Sequence, residues 1–66
     1  METSKKDILK FLESAKQFEL DLMNLYEDQA ERANGEAKEL LLKISRDEKI
    51  HAAIVQRIIE KVEARK

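Results

Sequence analysis

No cysteine and no proline occur in this 66-residue sequence, glycine occurs once, and aromatic residues make up only 5% of it. The lack of cysteine excludes disulfide frameworks, thiolate-bound zinc, iron–sulfur clusters and thiol nucleophiles. With no proline and only Gly35, little in the chain can break a helix. Charge of one sign is missing too: 13 basic side chains stand against 14 acidic ones, so nothing in the balance invites nucleic acid. Long apolar runs of the roughly 18 residues that a membrane span needs are absent, and charge begins at Glu2, Lys5 and Lys6. No membrane span or secretory signal is therefore expected, and the expected location is the cytoplasm.

What is present is a chain with 42% apolar and 41% charged residues, too apolar to read as disordered. A chain this short rarely buries enough surface to be stable alone. With disulfides excluded, the remaining supports are a bound metal or self-association.

Asn34-Gly35 is the one break, where both residue types tolerate the left-handed conformation that ends helices. The whole of 1–66 thus reads as a single helical hairpin: helix 1 over about 4–33, a turn at 34–35 and helix 2 over about 36–64. Thr3 or Ser4 can cap the first helix, and Ser4 with Asp7 resembles a capping box. Alternating steps of four and three mark an apolar seam on each helix. It runs through Ile8, Leu12, Ala15, Glu19, Leu22, Tyr26, Gln29 and Ala33, then through Ala37, Leu41, Ile44, Glu48, His51, Val55, Ile58 and Val62. Phe11, Phe18 and Met23 are expected in the core. The apolar face is wider than one neighbouring helix can cover, and the fold class that follows is all-α, an antiparallel hairpin that dimerises into a four-helix bundle. Leu20, Leu42 and Ile50 lie off the seam and hint at a larger ring. Asp28 with Arg32 and Glu39 with Lys43 are spaced as surface ion pairs.

Three ionisable residues interrupt the seams: Glu19, Glu48 and His51. Buried carboxylates need a donor, a counter-charge or a metal. Counted from the turn, the three sit at nearly one height, roughly 20 to 25 Å away at the rise of an α-helix. They are expected to converge near the middle of the hairpin. A two-fold axis through that level brings two copies of the trio into one layer, four carboxylates and two imidazoles, which two divalent cations would neutralise. Acidic Glu27, Asp28, Glu31, Glu36 and Glu39 crowd the turn, whereas Lys5, Lys6, Lys10, Lys61, Arg65 and Lys66 crowd the termini, so an antiparallel dimer sets unlike charges together. Asp47, next to Glu48, is expected to orient the imidazole of the partner chain. The competing reading pairs Glu48 with His51, or either with Lys or Arg across an interface, and needs no metal.

Glu19 to Tyr26 (Glu-x6-Tyr), followed after the turn by Arg46-Asp47-Glu48-Lys49-Ile50-His51-Ala52-Ala53, resembles one half of a ferritin-like or rubrerythrin-like protein. The two-helix length is most similar to the encapsulated ferritins. That resemblance implies a di-iron ferroxidase centre shared between two subunits, with Glu19, Glu48 and His51 as iron ligands, Glu48 bridging, and Tyr26 beside them. It implies two irons per dimer, dioxygen as co-substrate, and a capsid-like shell as a further partner. The C-terminal extension that reaches such a shell is missing here, as is the cysteine-bound iron domain of rubrerythrins. Manganese chemistry, metal storage or peroxide consumption, and a metal-free interaction hairpin are the alternatives.

Overall fold

The computed structural model describes residues 4–65, which form two helices and nothing else, α1 (Lys5–Arg32) and α2 (Gly35–Glu63). Thr3, the alternative cap, lies outside the described residues. Ser4 starts α1: its backbone is extended, and its hydroxyl accepts a hydrogen bond from the Asp7 N–H at 3.1 Å. Such a cap stabilises a helix by about 1 kcal/mol. Lys5 donates from its ammonium to the carbonyls of Glu63 and Arg65, tying the start of α1 to the end of α2 and placing positive charge at a helix C-terminus.

The turn falls one residue earlier than the glycine suggested. α1 closes with the Ala33 N–H donating to the Ala30 carbonyl at 3.2 Å, and Ala33 and Asn34 are both extended. Gly35 opens α2 with φ +60, so its left-handed freedom starts the second helix rather than ending the first. Two extended residues therefore reverse the chain.

The antiparallel helices make an elongated body of 50 × 17 × 15 Å. Its interior is thin. Leu12, Ala30, Ala52 and Ile59 are the buried apolar residues, and Ser45 is buried with them. The residues between the helices are thus one position away from the expected seam in several places: Ala30 in place of Gln29, Ser45 in place of Ile44, Ala52 in place of His51, Ile59 in place of Ile58. Small side chains at Ala30, Ser45 and Ala52 let the helices approach closely, as ridge-and-groove packing requires.

The displaced apolar residues face outward. Ile8, Phe11, Phe18 and Leu25 on α1 and Leu40, Ile44, Ile54 and Ile58 on α2 are exposed, Phe11 at 69% and Phe18 at 62%. The expectation that these two phenylalanines sit in the core of the hairpin is corrected; Met23 is half-buried. At about 100° per residue, Phe11 and Phe18 stand about a quarter to a third of a turn away from the Leu12–Glu19 line that meets α2. Leu20 and Leu42 are half-buried, which leaves Ile50 as the exposed residue of that group. Arg32 pairs with Asp28 at 3.4 Å, whereas Glu39 and Lys43 form no ion pair among the described residues.

Candidate metal centre

Glu19 comes from the middle of α1, and Glu48 and His51 come from the middle of α2, one helical turn apart on adjoining faces. Similar counts of residues from the turn bring the three to nearly one level. A ligand atom of each lies within 4.8 Å of the others. The His51 Nδ1 stands 3.5 Å from Glu19 Oε2, with the histidine side chain 54% exposed and the glutamate 24%. One edge of the group is thus covered by the neighbouring helix, and the imidazole edge is open.

Two atoms carry the chemistry. Glu19 Oε2 and Glu48 Oε2 are both buried and accept no hydrogen bond. The Glu48 pKa is raised, first because a proton on it could be shared with the Glu19 carboxylate; desolvation and the negative charge of Glu19 follow, Asp47 adds to them, and His51 opposes. A divalent cation would replace the proton and satisfy both orphaned oxygens, with the neutral imidazole as a third donor. The residues fit a metal, and the oxygen-rich, thiolate-free set suits iron or manganese.

A family comparison points the same way. The family model described as Rubrerythrin matches residues 10–66. The chain belongs to the rubrerythrin family. Membership supports a di-iron binding domain of ferritin-like type, built here from a single hairpin. No curated protein and no solved structure matches this rubrerythrin-family chain.

Tyr26 and Asp47 make no hydrogen bond to the trio among the described residues. Tyr26 is half-buried on α1, two turns nearer the loop, and its hydroxyl makes no hydrogen bond among the described residues. Asp47 is exposed and reaches the site only through its charge on Glu48. Three residues that periodicity passes over make hydrogen bonds between the helices within about two turns of the trio: Ser45, Lys16 and Gln56. Ser45 is spaced by seven from Ala52 and by seven again from Ile59, a signal of its place on the line that α1 covers though not of its hydrogen bond. No described helix is long and apolar enough to cross a membrane.

The raised pKa of Glu48 has a testable sign. A carboxyl that binds its proton more tightly when folded than its ordinary 4.5 adds stability below that value and loses it as pH rises through the folded pKa. Metal-free protein should therefore gain urea resistance on acidification from neutral pH into this window. Glu48→Gln should flatten that slope, and superimposable pH profiles for parent and variant would contradict the shared-proton account. Metal affinity should follow the opposite course, rising with pH as the competing proton leaves.

Proposed function

We propose that this chain is a ferroxidase: Glu19, Glu48 and His51 bind ferrous iron, and a second copy of the hairpin supplies a matching trio to complete a two-iron site. The observation that carries the reading is the pair of orphaned carboxylate oxygens beside an imidazole, in a chain of the rubrerythrin family. The open apolar face supports pairing, because the trio lies at its border and the described residues enclose no cavity that would shelter it.

Iron is the substrate in this reading. Two ferrous ions each give up one electron, and dioxygen takes the pair with two protons to leave as hydrogen peroxide. The protein supplies placement and charge. Glu19 and Glu48 offset the positive charge of the bound ions, and at Glu48 a cation competes with a proton held more tightly than on an ordinary carboxylate. His51 contributes a neutral nitrogen, its Nδ1 turned toward Glu19. Phe18, next to Glu19 and exposed in the single hairpin, would exclude water once a second copy covers it.

Anaerobic loading with ferrous iron followed by native mass spectrometry tests the proposal. The expected result is about one iron per chain in a dimer, with oxidation on admitting air. Dimers without iron would favour the metal-free interaction hairpin instead. Retention of manganese in preference to iron, with peroxide consumption, would move the assignment to that chemistry.

A further inference from the structure

Two hydrogen bonds cross between the helices on either side of the trio. On the turn side, the Ser45 hydroxyl donates to the Met23 carbonyl at 3.0 Å. Toward the termini, the Lys16 ammonium donates to Gln56 Oε1 at 2.7 Å, and the same Gln56 donates from Nε2 to Glu60 at 3.2 Å. Along α1 the order is Lys16, Glu19, Met23; along α2 it is Ser45, Glu48, His51, Gln56. The metal trio lies inside the bracket.

Placement matters because the other forces between the helices do not define axial position finely. Burial of Leu12, Ala52 and Ile59 is non-directional, and heptad-spaced apolar rows resemble themselves when shifted. A slide of one residue moves a ligand about 1.5 Å. Metal–ligand distances hold within about 0.2 Å. The two-residue turn and the Lys5 clasp fix the hairpin at its ends, each on the order of 20 Å or more from Glu19 and Glu48 at helical rise. Hydrogen bonds are directional, and these two act within about a turn or two of the site.

We propose that Ser45 and Lys16 are positioning residues, which set the register of α1 against α2 so that Glu19 meets Glu48 and His51. The proposal rests on the metal reading of the trio. Ser45 is buried at 5% exposure, and its hydroxyl is taken up by the Met23 carbonyl with no hydrogen bond to a ligand side chain among the described residues. Its acceptor, the Met23 carbonyl, also lies inside a helix and keeps its backbone bond without it. Removing the hydroxyl therefore leaves no orphaned acceptor.

This gives a clean experiment. Ser45→Ala takes away the bond and installs a better helix former. Lys16→Met keeps an unbranched apolar stem and removes the ammonium. Cobalt(II) is the probe, followed by its visible d–d spectrum, with unfolding of the metal-free proteins measured alongside. Each variant should bind cobalt about tenfold more weakly than the parent, and the double variant more weakly still, with an altered spectrum, in the range that supporting contacts around metal ligands confer. Metal-free stability should be kept in Ser45→Ala. Parent-like cobalt affinity and spectrum in both single variants and the double would overturn the proposal. Should the parent bind no cobalt or iron, the metal reading fails on its own, and the methyl NOE pattern across the helices in metal-free protein decides the register. An unchanged pattern in the double variant would refute the bracket, and a shifted one would support it.

Discussion

Replacing the trio by leucine, as Glu19→Leu, Glu48→Leu and His51→Leu together, is expected to abolish metal binding and iron oxidation while making the metal-free protein harder to unfold. The two halves of this result have one cause. In the native chain two buried carboxylate oxygens lie without donors in the middle of a hairpin that otherwise joins apolar or small residues there. Desolvated carboxylates without partners oppose folding, and apolar residues of similar size in their place often improve it. A position that lowers the stability of the metal-free state and lies where three ligand atoms converge is expected of a site kept for binding.

Loss of activity should exceed about a hundredfold, since even groups that only support a metal ligand are commonly worth about ten- to a hundredfold in affinity. Glu48→Ala alone should lose the metal to a similar extent without the full gain in stability, because the half-buried Glu19 carboxylate remains with no hydrogen-bond donor on its buried oxygen. Metal content, oxidation rate and urea midpoint measured on the same three proteins check the account. A leucine triple that unfolds more easily than the parent would mean that the trio is held together by its own ion pairing, the 3.5 Å contact between His51 and Glu19 above all.

Much of this site is legible in the sequence. Counting residues from the single glycine places Glu19, Glu48 and His51 at one height, because an α-helix adds a fixed rise per residue and both helices start from the same turn. The heptad seams were read less well. A stripe drawn from hydrophobicity follows the centre of the whole apolar arc, and here only part of that arc lies between the two helices. The contact inside the hairpin takes its edge, where Ala30, Ser45 and Ala52 permit close approach, and the bulky Phe11, Phe18, Ile44 and Ile58 occupy the remainder. A small polar residue such as Ser45 adds nothing to a hydrophobic stripe. Its role depends on a backbone carbonyl of the other helix, which no spacing within α2 can announce. Lys16 and Gln56 are hidden for the same reason: their partnership is 40 residues apart in sequence and exists only once the helices lie side by side.

Phe18→Ser combined with Phe11→Ser is expected to leave the hairpin helical and to dissolve its association. Neither ring is buried by its own chain, at 62% and 69% exposure, so their removal costs the single hairpin little. Between two copies the arithmetic changes. The open side of a 50 × 17 Å body is on the order of 800 Å², the area a standard-size interface takes from each partner. A phenylalanine fully covered there contributes about 1.5–3 kcal/mol, and two-fold symmetry counts every substitution twice. Even Phe18→Ser alone should then weaken the dimer by about two orders of magnitude or more. Sedimentation velocity with and without ferrous iron measures it. If pairing completes the metal site, the substituted chain should also hold iron weakly despite carrying Glu19, Glu48 and His51 intact. Undiminished association would place the contact on another face, with Ile50 as the next residue to test. Undiminished iron binding by a monomer would mean instead that a single trio suffices for the metal, and that the apolar face serves a different purpose from the site at its border.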